Sequence, residues 1–128
     1  MRYLLDTHIV IWAMVGSKKL SDKAASTLRN PENELYVSPI SILEVAIKHA
    51  IRPEEIPVTA EQMVRFCRNS GIVELPVDFV HSQAVAQLPP HHNDPFDRVL
   101  AAQASSEEML LLTHDGKLPL YGDFVVSV

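Results

Sequence analysis

Apolar residues along this chain alternate between short unbroken runs and longer stretches at helical spacing. Tyr3-Leu4-Leu5 is an unbroken run that stops on Asp6 and reads as a buried strand. Residues 7–15 follow as a helix carrying Ile9, Val10, Ile11, Trp12 and Met14, with Gly16 to stop it. Ser21 caps a second helix over 22–29, closed by the Asn30-Pro31 breaker. Glu34-Leu35-Tyr36-Val37 is the second strand. Ser38-Pro39 then opens a third helix, with Ile40, Leu43 and Ile47 as its apolar stripe and Glu44 beside that stripe. Residues 53–57 break the pattern as a loop. Thr59 and Gln62 make a capping box for a helix ending at Gly71. A third strand is expected over 72–75, and Asp78 caps a helix running to about Gln87. Last come a helix over 95–105, the run Met109-Leu110-Leu111-Leu112-Thr113 and a short strand, Phe124-Val125-Val126.

Strands alternate with helices throughout, and the strand runs are continuously apolar. That combination predicts a parallel sheet covered on both faces, a doubly wound α/β/α sandwich of about five strands. With 128 residues and no repeat or low-complexity tract, one domain over 1–128 is expected. Hydrophobic content of 47% beside 21% charged residues belongs to a folded globular chain. The lone Cys67 excludes an internal disulfide, fits a reducing compartment, and reads as a small buried hydrophobe. No secretory pattern or membrane-length apolar run is present, so a cytoplasmic, membrane-free location is expected. A net charge of −5 argues against nucleic-acid binding through bulk charge. It leaves a nucleic-acid substrate open, because acids that hold divalent cations make a chain look acidic.

The densest chemistry lies in His91-His92-Asn93-Asp94-Pro95-Phe96-Asp97-Arg98, after the Leu88-Pro89-Pro90 breaker. Asp94 suits an N-cap and Pro95 the first helical position, which puts Asp97 at the third. One reading is a capping box in which Asp97 answers Asp94. The other draws on carboxylates elsewhere. Ligands of open parallel sheets bind beyond the strands' carboxyl ends. Asp6 ends the first strand there, and Asp115 follows the fourth. Asp97 opens the helix that feeds the fourth strand, and Glu44 lies in the helix after the second. Singly, Asp6 reads as a helix cap, Asp115 as a turn with Gly116, and Glu44 as a solvated helix residue. Together, four acids in one cleft repel unless a cation is bound. An all-carboxylate site selects a hard ion, Mg²⁺ with Mn²⁺ as substitute, and suits phosphoryl chemistry. His8, His91, His92 and His114 lack cysteine partners and HxxxH spacing, which disfavours zinc. His91 and His92 read as residues that hold the turn or touch phosphate.

Leu4-Leu5-Asp6-Thr7-His8, Ser41-Ile42-Leu43-Glu44, His92 through Ala104 and Leu112-Thr113-His114-Asp115 occur in that order. In these stretches the chain resembles a PIN domain of the VapC type, the ribonuclease toxins of prokaryotic type II toxin–antitoxin pairs. The resemblance covers nearly the whole chain and implies a PIN-like three-layer α/β/α sandwich with a mainly parallel sheet. It implies Asp6 and Asp97 as Mg²⁺ ligands, Glu44 as a ligand or water-orienting group, and Asp115 as support for a second ion or a water. Thr7 and Thr113 would hold these carboxylates, and Asp94 would serve as helix cap. Arg98 would orient a carboxylate or contact phosphate, with a structural salt bridge as the alternative. The implied activity is cleavage of single-stranded or loop RNA to a 5′-phosphate and a 3′-hydroxyl. The implied partners are a VapB-type antitoxin, which places an Arg in the acidic site, and a second copy of the chain. Lys18, Lys19, Lys23, Lys48 and Arg52 are candidates for tracking RNA, or else a solvated helix face.

The chain departs from that pattern at Asn93, at Pro53-Glu54-Glu55-Ile56-Pro57 and at Leu118, positions that bear on phosphate contact, pairing and partner choice. A phosphatase with Asp6 as nucleophile fails because position 8 is His where a second Asp is required. An inactive PIN module that only binds RNA or a partner is the reading from another class, opposed by the four retained acids.

Overall fold

The computed structural model describes residues 1–128. Five parallel strands form one sheet in the order β3-β2-β1-β4-β5. They are β1 (Arg2–Leu5), β2 (Glu34–Val37), β3 (Val73–Glu74), β4 (Leu110–Thr113) and β5 (Val125–Ser127). Six helices connect them: α1 (Thr7–Val15), α2 (Asp22–Arg29), α3 (Pro39–Ile51), α4 (Ala60–Asn69), α5 (Phe79–Ala84) and α6 (Pro95–Ser106).

Alternation along the strands sorts the core into two layers. Leu5 and Leu112 face one side, where they pack with Ile9, Val10, Val45 and Met63 of α1, α3 and α4. Their neighbours Leu4 and Leu111 face the other side and pack on Leu100, Ala101 and Ala104 of α6. Successive strand side chains point to opposite faces, so strands apolar at every position require cover on both. This is the expected three-layer α/β/α architecture. The small residues of α6 let that helix approach the sheet closely. Buried Gln103 of the same helix donates to the carbonyls of Leu75 (3.1 Å) and Pro76 (3.4 Å), tethering the chain as it leaves β3.

Local signals ended the elements where expected. Gly16 closes α1 in the left-handed conformation at φ +64°. Ser21, Ser38, Thr59, Asp78 and Asp94 each accept a first-turn N–H. Some bounds shift by a residue or two, as where α4 ends at Asn69 ahead of Gly71 and β5 spans Val125–Ser127, and three larger details differ from the sequence expectation. The strand expected over 72–75 is in register with β2 only at Val73 and Glu74, with the Leu75 N–H still donating to the Val37 carbonyl (2.8 Å), because β2 ends at Val37 where Ser38 caps α3. The helix after Asp78 gives way after Ala84 to a 3₁₀ turn, Val85–Gln87, ahead of the two prolines. A 3₁₀ turn over Leu118–Tyr121 was not foreseen; it buries Leu118 in the α6 layer.

The strand order reverses between β1 and β4, since β1 leads outward to β2 and β4 leads outward to β5. Such a reversal opens a crevice at the carboxyl ends of the two strands. Asp6 follows the end of β1 directly, and Asp115 stands two residues beyond the end of β4.

Candidate metal centre

Asp6 is buried, and its backbone N–H donates to the Leu112 carbonyl of β4 (3.0 Å). It holds the N-cap position of α1, yet its carboxylate caps nothing. Instead the carboxylate accepts the hydroxyl proton of Thr113, the last residue of β4. The same hydroxyl oxygen accepts the backbone N–H of Asp115 (3.0 Å). Thr113 therefore ties the ends of both central strands into one crevice.

Glu44 is 2% exposed, so the solvated-face reading fails. Its place beside the apolar stripe of α3 turns it inward towards α1. Oε1 accepts the Thr7 hydroxyl (2.6 Å), while Oε2 accepts the ammonium of Lys48 one turn on (2.5 Å). Ser41 Oγ lies 2.9 Å from the Thr7 hydroxyl oxygen. Thr7 has one proton for the carboxylate and so receives that of Ser41.

Asp94 caps α6, accepting the Phe96 N–H (2.9 Å). The reciprocal half of a capping box is missing, because the Asp94 N–H donates to Nδ1 of His92 (3.0 Å). That leaves Asp97 free to face the crevice. With Nδ1 accepting, the proton of a neutral His92 resides on Nε2. Nε2 lies 3.1 Å from Asp97 Oδ2 and 3.0 Å from Asp115 Oδ2 and bridges the two acids. Asp115 does begin a turn as well, accepting the N–H groups of Lys117 (2.7 Å) and Leu118 (2.9 Å) through Oδ1.

These surroundings push the carboxyl groups apart electrostatically. Burial, followed by the charges of Asp6, Asp94, Glu44 and Asp115, pushes Asp97 up to about 8. Asp6 is raised too, chiefly by burial, against the opposing Thr113 hydrogen bond. For Asp115, burial is the largest single effect and opposes ionisation. The hydrogen bonds from His92, Leu118 and Lys117 together outweigh it and lower its pKa. Burial likewise works against the charge on Lys48, but Glu44 and Asp94 outweigh it and keep the ammonium protonated. Asp97 thus feels all three other acids that the sequence singled out.

A pH dependence follows from Asp97. Between the unfolded carboxyl value near ~3.9 and about 8, the folded chain binds more protons at this position than the unfolded chain. Ion-free stability should therefore fall as pH rises from 5 to 8, by on the order of 2 kcal/mol after solvent relaxation. Melting curves in chelator across that range provide the check, and a rising or flat trend would refute the assignment.

Would these side chains accept a hard divalent ion? The donors are carboxylates, held in place by threonine hydroxyls, and two of them resist ionisation without a nearby cation. Such a donor set fits Mg²⁺ or Mn²⁺. His92, Asp97 and Asp115 also lie close enough together to share an ion. The tautomer fixed by Asp94, however, puts a proton where His92 would coordinate, so a histidine-based zinc site does not arise here. The other three histidines weighed for zinc are engaged separately, His8 and His114 against Trp12 and His91 against Tyr121.

Arg98 departs from its expected role. It makes no salt bridge and orients no carboxylate. Its guanidinium donates to the carbonyls of Val85 (3.2 Å), Leu88 (3.4 Å), Pro89 (3.2 Å) and His92 (3.5 Å), and to the Tyr121 hydroxyl (3.2 Å). The carbonyls of Val85 and Pro89 each accept a main-chain N–H as well, from Leu88 (3.2 Å) and His91 (2.9 Å), while a planar five-donor fork gathers all four carbonyls of this irregular segment. Among the basic candidates, Lys18, Lys19 and Lys23 are exposed and Arg52 pairs with Glu55 (3.6 Å). Lys48 turns into the acidic cluster. Sequence reading missed that turn and the bridging position of His92, although the i, i+4 spacing of Glu44 and Lys48 was a usable signal.

Comparison with known proteins places these features in a family. The PIN domain model matches residues 3–123. No curated protein matches the sequence. Among solved structures, VapBC2 from Rickettsia felis bound to a promoter DNA fragment is similar with a TM-score of 0.71 and 17% identity, over 100% of this chain and 98% of that one. A toxin–antitoxin complex from Klebsiella pneumoniae gives 0.66 and 19%, over 98% and 96%. VapBC-1 from nontypeable Haemophilus influenzae gives 0.62 and 21%, over 94% and 92%. Identities this low speak for the fold alone, whereas the family model reads the sequence itself across nearly its full length. A parallel sheet reversing at β1/β4, acids gathered at that reversal and this sequence match lead to one conclusion: the chain belongs to the PIN domain family.

Proposed function

We propose that this chain is a Mg²⁺-dependent endoribonuclease, the VapC-type toxin of a toxin–antitoxin pair. The observation that carries the reading is the convergence of four acids on one crevice: Thr113 joins the Asp6 carboxylate to the main chain of Asp115, His92 joins Asp115 to Asp97, and Glu44 hangs from Thr7, the residue after Asp6. Carboxylates crowded in one crevice and perturbed by burial and by one another mark a functional site, and a bound cation is what offsets their repulsion. Asp6 and Asp97 are the direct ligands in this reading, Glu44 orients a water, and Asp115 acts through water. A bound Mg²⁺, for which Mn²⁺ can substitute, supplies charge for a phosphodiester oxygen and lowers the pKa of water. The chain's own part is to hold that charge at one edge of the sheet. Thr113 fixes Asp6, Thr7 fixes Glu44, and Asp94 starts the helix that presents Asp97.

The toxin reading is supported by the company of similar folds, which includes VapBC2, VapBC-1 and a toxin–antitoxin complex. A VapB-type antitoxin and a second copy of the chain are the proposed partners, RNA the substrate and the cytoplasm the location. No helix is long and apolar enough to cross a membrane.

Purified chain incubated with total RNA should cut it in Mg²⁺, stop in EDTA and resume with Mn²⁺, leaving 5′-phosphate ends. Expression without antitoxin should arrest growth, and Asp6→Asn should relieve the arrest. RNA bound but uncut under all ionic conditions would favour an inactive module and sink the nuclease.

A further inference from the structure

The two oxygens of Glu44 are not equivalent, and the difference falls on Lys48. Oε1 faces Thr7 within α1, whereas Oε2 meets an ammonium at 2.5 Å. That ammonium also lies 3.6 Å from Asp94 Oδ2 and 5.6 Å from the centre of the Phe96 ring. Lys48 therefore bridges the α3 and α6 sides of the crevice, resting on an aromatic face that itself favours a cation. Glu44 and Lys48 are one turn apart on α3, so the pair is fixed by helix geometry. On the opposite side, Asp6 and Asp97 have no such partner. Asp6 receives a neutral hydroxyl, and Asp97 receives His92, whose bridging proton Asp115 shares. Compensation is divided unevenly across the cluster.

We propose that the Lys48 ammonium takes the place a divalent cation would otherwise hold beside Glu44 and Asp94, so that the site takes one divalent cation, on the Asp6 and Asp97 side, and Glu44 stays out of direct coordination. The proposal rests on the metal-dependent reading above. A divalent ion reaching Oε2 would have to displace an ammonium from a buried carboxylate, or sit within a few ångströms of it. Either course is unfavourable, because like charges in a poorly solvated crevice repel strongly. Lys48 acts as a positioning residue: it holds the Glu44 carboxylate and limits occupancy.

The test counts ions rather than turnover. Free Mn²⁺ measured by electron paramagnetic resonance during titration of the purified protein gives the stoichiometry directly. Wild type is expected to bind one Mn²⁺ per chain, Lys48→Met two, and Lys48→Arg one. The double variant Glu44→Gln with Lys48→Met removes both charges together, leaves no unpaired buried carboxylate, and is expected to return to one. Two ions in wild type, or one in a folded Lys48→Met protein, would overturn the proposal and leave the metal-dependent nuclease standing. Should Lys48→Met fail to fold, Lys48→Gln, which keeps a donor to Glu44 without the charge, takes its place: two ions per chain support the proposal and one overturns it. No bound Mn²⁺ in any of them would overturn both.

Discussion

Asp97→Asn is expected to reduce RNA cleavage by about 10³-fold or more and, at the same time, to make the ion-free protein more stable at pH 7.5. The two effects have one origin. Cleavage falls because an amide cannot supply the negative charge that binds a hard cation. Stability rises because Asp97 ionises near neutral pH only against burial and four neighbouring acids. An amide of the same shape removes that repulsion while its oxygen still accepts from His92. A gain on the order of 2 kcal/mol corresponds to roughly 8 °C for a chain of this size. Added Mg²⁺ should then raise the melting temperature of wild type and not of the variant. Parallel melts with and without Mg²⁺, beside a cleavage assay, decide the matter. Loss of activity accompanied by lower ion-free stability would show that Asp97 serves the fold and not an ion.

Arg98→Ala is expected to destabilise the fold by about 3 kcal/mol, the largest stability loss of any single polar substitution near the site. The guanidinium gathers four main-chain carbonyls and the Tyr121 hydroxyl, and hydrogen bonds from a charged donor contribute about 1.5–3 kcal/mol each without being additive. Lysine should recover little, since its three donors radiate from a point and cannot match a planar fork. His92 is among the carbonyls held and also receives the N–H of Asp94, so the loop that positions its ring would loosen. Cleavage should fall by about tenfold through that route. Urea melts provide the first measurement. A midpoint unchanged from wild type, with activity lost, would return Arg98 to substrate contact.

The chain shows how far a run of residues can be read in isolation. Alternating apolar runs and helical stretches, punctuated by Ser21, Ser38, Thr59, Asp78 and Asp94, were sufficient to foresee a parallel three-layer sandwich. These signals are local: a cap acts on its own first turn, and a doubly apolar strand demands two covered faces wherever it lies. The weaker points were those decided at a distance. The third strand is in register with β2 only at Val73 and Glu74 because its one neighbour ends at Val37, where the chain turns into α3. Arg98, in the first turn and a half of α6, reaches back to the carbonyls of the preceding loop and away from the acids.

What the sequence by itself determined was the order of elements and the identity of the acids: Asp6 and Asp115 close the strands, Glu44 and Asp97 stand on helices. Only the tertiary structure decided which charges meet. It set Lys48 against Glu44 and Asp94, wedged His92 between Asp97 and Asp115, and left Asp97 among its own kind. The physical reason is that capping and periodicity depend on neighbours along the chain. The ionisation of a carboxyl depends instead on every charge within a few ångströms and on the water that packing has removed.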